Sequence, residues 1–215
     1  SQIAIGLAGG GVVLVSSDSL DTMHTKKDRE EPIHELKFSP SGQYLAVGSH
    51  DNYIDVYDVS KGYGRMGVAK GHASYIRHLD WSGDSTVLQS NSGDFELLFW
   101  EMPSGKQIKF ASDARNIDWS TWTCAAGWPV QGILPRYSMG TDVLSCDRSH
   151  TRTVVASGDE FGTINLYQYP AHKGCAGRTF GGHSSKVTGV RFMFDDTYLI
   201  SVGADMTLCQ WKIVL

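Results

Sequence analysis

Apolar residues in this chain recur in short runs of about a strand's length, with no sustained stripe at helical spacing. Tyr44 to Val47, Val87 to Gln89 and Leu199 to Val202 are such runs, and none contains proline. The prolines fall between them, in Ser39-Pro40-Ser41-Gly42, Pro103-Ser104-Gly105 and Tyr169-Pro170-Ala171, where a missing N–H removes no ladder bond. Ile3, Ile5 and Leu7 alternate with small or polar neighbours, then Gly9-Gly10-Gly11 turns into Val12 to Val15. The pattern predicts an all-β chain of short antiparallel strands.

The runs are organised as a repeat. Four segments share one layout: a strand, a polar turn, a second strand ending in small residues, an acidic turn, and a third strand ending in an aromatic. They begin at His34, Ile76, Asp142 and Val187. With Phe38, Trp81, Cys146 and Phe192 as markers of the first strand, and Tyr57, Trp100, Tyr167 and Trp211 of the third, the separations are 19, 19, 21 and 19 residues. The first marker advances by 43, 65 and 46. A propeller blade takes roughly 40–45 residues, so the step of 65 implies an insertion of about twenty. The expected organisation is a partial blade at 1–31, blades at 32–70 and 71–110, an aromatic insert at 111–140, a blade at 141–181, and a blade at 182–215 lacking its outer strand. A seven-bladed ring needs about 300 residues, so these 215 are expected to form part of one.

Two repeats carry a second regularity. From His72 the chain reaches Ser90 after 18 residues, Asp94 after 22 and Trp100 after 28; from His183 it reaches Ser201, Asp205 and Trp211 at the same offsets. This resembles the WD-repeat (WD40) family, in which a loop His, strand Ser, turn Asp and strand Trp join blade strands through buried hydrogen bonds. Removing one member of such a network strands the others, at about 1–3 kcal/mol. A Ser–His–Asp set also suggests nucleophilic catalysis, but its recurrence in successive units of one scaffold favours structure. The other repeats lack the Gly-His signal, with Arg29 nine residues before Phe38 and Val47 at the Ser position, and are expected to be held by packing alone.

The wording of the repeats narrows the resemblance. The segments starting at Leu45, Ser74 and Arg115, with the ending Leu199 to Leu215, are similar to the C-terminal WD-repeat propeller of the echinoderm microtubule-associated protein-like (EMAP-like) family. The most diagnostic piece is Ile117-Asp118-Trp119-Ser120-Thr121-Trp122-Thr123-Cys124, absent from generic WD repeats. The resemblance implies a WD40-type β-propeller that is a non-enzymatic, cytoplasmic, cytoskeletal scaffold for tubulin or microtubules, with no cofactor, and with a companion propeller in the same parent chain. The alternatives are a WD scaffold for another complex, ciliary or mitotic, and a propeller enzyme.

Charge supports a protein partner. With 19 basic and 23 acidic residues the net charge is −4, which disfavours nucleic acid or an anionic membrane as the main partner. The longest apolar runs are far short of the roughly 20 residues that span a bilayer. Cys124, Cys146, Cys175 and Cys209 form no CxxC pair and suit neither zinc nor a disulfide framework, so they are expected to act as small buried hydrophobes in a reducing compartment. Gly9-Gly10-Gly11 has no Lys-Ser or Lys-Thr after it to make a phosphate loop. The insert concentrates Trp119, Trp122 and Trp128 with Arg115 and Arg136, residue types that dominate binding hot spots. Their opposing reading is packing of the insert onto its own blade or a neighbouring propeller. Asp51, Asp94, Asp159, Glu160 and Asp205 occupy corresponding turns and predict an acidic rim, which would repel an acidic partner.

Overall fold

The structure, a computed structural model, describes residues 1–134 and 143–214. The chain divides into two compact units, Ser1–Ser120 and Thr121–Leu215.

The first unit holds three antiparallel meanders. One is β1 (Gln2–Gly6), β2 (Gly11–Ser16) and β3 (Thr22–Lys27). The next is β4 (Ile33–Phe38), β5 (Tyr44–Ser49), β6 (Tyr53–Asp58) and β7 (Gly64–Lys70). The last is β8 (Ile76–Trp81), β9 (Val87–Ser92), β10 (Leu97–Glu101) and β11 (Lys106–Gln107). The second unit holds two: β12 (Val143–Arg148), β13 (Val154–Asp159), β14 (Thr163–Gln168) and β15 (Gly177–Gly181), then β16 (Val187–Phe192), β17 (Tyr198–Gly203) and β18 (Leu208–Lys212).

Strand chemistry follows from position. β5, β9 and β13 are buried on both faces after their first residue, which explains why β5 and most of β13 read as apolar and small residues instead of alternating, while β9 buries the polar Gln89 and Asn91. Gly48 on β5 illustrates the tightness: a Cβ there would stand 2.6 Å from Ile76 Cγ2 of the next sheet. Gly158 repeats this in the second unit, 2.4 Å from Val187 Cγ1. Only glycine lets the sheets approach so closely. Between the sheets lie Val12, Leu14, Leu45 and Val47 in one cluster and Ile54, Val56, Ile76, Leu79, Trp81 and Trp100 in another; Ala156, Ile164, Val187, Val190 and Leu199 fill the second unit.

The register repeats to the residue. Leu45 lies between Phe38 and Tyr57, Leu88 between Trp81 and Trp100, Val155 between Arg148 and Tyr167, and Leu199 between Phe192 and Trp211. The first-strand marker of the 142–167 repeat is therefore Arg148, not Cys146. With that correction the separation from first to third strand is 19 residues in all four repeats. Arg148 substitutes for an aromatic by stacking, its guanidinium 5.3 Å from the Tyr169 ring centroid. Each first strand also shifts register at the same place, between Ile33 and Glu35, Ile76 and His78, Val143 and Ser145, and Val187 and Gly189.

Candidate functional site

The two expected polar networks assemble inside separate sheets. Trp100 Nε1 donates to Ser90 Oγ at 2.7 Å, and Ser90 Oγ stands 2.6 Å from His72 Nε2. The far nitrogen, His72 Nδ1, lies 3.2 Å from Glu96 Oε2. One proton arrangement satisfies the chain: Trp100 N–H to Ser90, Ser90 O–H to His72, His72 Nδ1–H to Glu96. Asp94, expected in that last role, instead accepts from the Ser92 hydroxyl and the Glu96 N–H across its own turn. In the second unit Trp211 Nε1 donates to Ser201 Oγ at 2.8 Å, and Ser201 Oγ is 2.8 Å from His183 Nε2. His183 Nδ1 reaches Asp205 Oδ1 at 3.2 Å and Thr207 Oγ1 at 2.8 Å.

Burial sets the electrostatics. It pushes the His72 imidazole below its ordinary value, outweighing the opposing charge and hydrogen bond of Glu96. A histidine held neutral in the fold and charged once unfolded removes stability as pH falls through its unfolded value near 6.5. The urea midpoint is therefore expected to drop between pH 7.5 and 5.5, with a smaller drop in His72→Gln; equal slopes in the two proteins would contradict this protonation state. Burial would raise Asp205, yet it lies well below the usual carboxylate range because Thr207, the Ser184 N–H and His183 hydrogen-bond it.

The repeats without Gly-His are not held by packing alone. Arg29 occupies the position of His72 and makes a bidentate pair with Asp55, Nε to Oδ2 at 2.6 Å and Nη2 to Oδ1 at 2.8 Å, while Nη1 reaches Asp51 at 3.1 Å. Asp55 is 1% exposed. The Tyr57 hydroxyl, at the tryptophan position, donates to Asp28 at 2.8 Å. An ionic network thus replaces the Trp–Ser–His relay in that sheet. In the 142–167 repeat Asp159 accepts from the N–H groups of Phe161 and Thr163, from the Thr163 hydroxyl and from Asn165. Asp51 is paired with the Arg29 cation, whereas Asp159 and Asp205 are held mainly by uncharged hydrogen-bond donors within their own sheets.

The insert candidates separate. Trp119 is 5% exposed; it bridges Ser82, and its ring centroid lies 6.0 Å from that of Phe99. Trp122, 3% exposed, donates Nε1 to Cys124 O at 2.9 Å within the second unit. Each tryptophan packs into its own unit and offers no ring to a partner. Arg115, after a short 3-10 helix at Ala111–Ala114, and Trp128, opening another at Trp128–Ile133, are exposed. Arg136 and the expected insert–blade boundary at 140/141 lie outside the described residues. Cys124 and Cys146 are buried, Cys175 and Cys209 half-buried. Among the described residues no three His, Cys, Asp or Glu side chains converge as metal ligands, and no helix is long and apolar enough to cross a membrane.

Residues 1–213 match the family model for the echinoderm microtubule-associated protein second beta-propeller. The chain is 46% identical over 217 residues to the 77 kDa echinoderm microtubule-associated protein of Strongylocentrotus purpuratus, covering 99% of this chain and 32% of that protein. It is 44% identical over 218 residues to echinoderm microtubule-associated protein-like 4 of Homo sapiens, covering 99% and 22%. The chain thus spans no more than a third of these relatives. A chain from a crystal structure of the mitotic checkpoint complex superposes with a TM-score of 0.80 at 19% identity, over 99% of this chain and 71% of that one. At that identity the likeness concerns the fold alone: an all-β propeller, with five blades in this chain.

Proposed function

The chain belongs to the echinoderm microtubule-associated protein family, and from that premise we propose that it is a non-enzymatic propeller scaffold contributing to association with tubulin or microtubules. The observation that carries this reading is the 46% identity, spread over 99% of the chain, with a protein named for microtubule association. The site geometry supports the non-enzymatic part. Ser90 and Ser201, the would-be nucleophiles, are fully buried and already accept the N–H of a tryptophan, which leaves no face for a substrate. A stable sheet scaffold presenting its turns is a common arrangement for binding surfaces.

The same reading places the blades in a seven-bladed ring, beside the companion propeller of the parent chain, on cytoplasmic microtubules. Co-pelleting with microtubules and pull-down of soluble tubulin test it, using the protein that contains both propellers. Saturable retention is the expected outcome; absence of binding to both polymer and soluble tubulin would overturn the proposal.

A further inference from the structure

One strand edge differs from its equivalents in the other sheets. β5, β9, β13 and β17 are each paired on both sides, whereas among the described residues β1 pairs with β2 alone. β1 is their counterpart. Gly6 lies opposite Val12 as Gly48 lies opposite Ile54, and a Cβ on Gly6 would stand 2.7 Å from Ile33 Cγ2, repeating the contacts of Gly48 and Gly158 with the following sheet. β1 therefore presents unpaired N–H and C=O groups along the side on which β5 meets β4.

The side chains carry the same signal. Gly6 faces the second sheet, so alternation puts Ile3 and Ile5 on the opposite face, where each is 43% exposed. Their counterparts Leu45 and Val47, beside Phe38 and Leu36 of β4, are 1% exposed.

Open edges are normally protected against pairing by charge, proline, a bulge or brevity. The outer strands have such protection: Lys26 and Lys27 on β3, Arg65 and Lys70 on β7, Arg178 on β15, and a length of two residues in β11. β1 has no charge, no proline and no shift in its register with β2. Its composition is that of a strand paired on both sides.

We propose that the free edge of β1 accepts an antiparallel strand from another part of the parent protein. The complete sheets define the chemistry of that strand. Opposite Leu45, Leu88 and Leu199 stand Phe38, Trp81 and Phe192, and two residues earlier in the same strands come Leu36, Leu79 and Val190. The incoming strand carries a large side chain opposite Ile3 and an apolar one opposite Ile5, two cross-strand pairs on the exposed face. The parent protein is the source because the relatives extend well beyond this chain, which covers 32% and 22% of their lengths. The proposal rests on the propeller fold and is independent of the microtubule reading.

Amide exchange of the full-length parent protein, resolved to single residues, tests it. Every amide from Ile3 to Gly6 is expected to exchange at least about tenfold more slowly than an amide open to solvent. A free edge would leave alternate amides fast. Ile5→Lys places a charge on the edge strand and should bring that alternation back, while unchanged exchange in β5 certifies the fold. Alternation in the unsubstituted parent would overturn the proposal. So would full protection that disappears on dilution, because the strand would then come from a second copy. Full protection that survives Ile5→Lys would overturn it as well, since the apolar pair at that position would not select the strand.

Discussion

Trp100→Ala is expected to lower the unfolding free energy by about 3–5 kcal/mol, the range for truncating a large core aromatic. Two independent losses add in this substitution. The indole is fully buried among Ile54, Val56, Leu79 and Trp81, so a cavity opens between two sheets. Its N–H also leaves Ser90, and the hydroxyl's other partner is a neutral, buried His72. Trp100→Phe separates the two, because it preserves most of the packing and removes the donor; a cost of about 1–3 kcal/mol is expected for the stranded polar group. Urea unfolding of the three proteins reads both values from the midpoint at constant slope. A midpoint in Trp100→Phe equal to that of the parent would mean that the Ser90–His72 relay contributes nothing.

Arg29→Ala should cost a similar amount for a different reason. Asp55 is almost wholly excluded from solvent, and the Arg29 fork supplies its two short bonds. Those bonds and the charge of Asp55 hold the Arg29 guanidinium above its ordinary value, so Arg29 keeps its positive charge throughout the accessible range. Removing one partner of a buried pair leaves an uncompensated charge, with a cost of about 3–5 kcal/mol. Arg65 Nη1, 3.6 Å from Asp55 Oδ1 and 43% exposed, can recover only part of it. Arg29→Lys keeps the charge but loses the bidentate geometry, and should fall between the two. The double variant Arg29→Met, Asp55→Leu removes both charges and should be more stable than Arg29→Ala. If the single and double variants melt together, Asp55 is not the buried charge that the geometry makes it.

The repeat was legible because two periodicities coincide. Strand runs alternate with turn formers, and one aromatic closes the third strand of each unit 19 residues after the first-strand marker. The reading slipped at Cys146 because the structural position, Arg148, holds a cation stacked on Tyr169 where the other repeats hold an aromatic. A search for aromatics cannot find a residue that does an aromatic's packing with a guanidinium. The Arg29 network was missed for a related reason. Absence of Gly-His does not mean absence of any network, and Asp55 between Ile54 and Val56 is the visible signal, since an acid inside an apolar strand requires a cation. Glu96 displaced Asp94 because two carboxylates lie within one turn, and sequence spacing does not say which reaches Nδ1. The insert was the least legible part. Tryptophan types fit both a hot spot and a packed loop, and only burial separates Trp119 and Trp122 from Trp128.

The buried networks hold the blades, and the proposed scaffold function assigns recognition to the surface. The most direct check is a microtubule co-sedimentation titration of the full-length parent protein beside its Ser90→Ala variant, at a temperature where both are folded, with melting recorded for each. Ser90→Ala removes the hydroxyl shared by Trp100 and His72 and touches no exposed atom. The expected result is a lower melting temperature with an unchanged pelleting curve. A variant that melts like the parent yet no longer pellets would contradict the account, because the network would then be part of the binding surface and not of the scaffold.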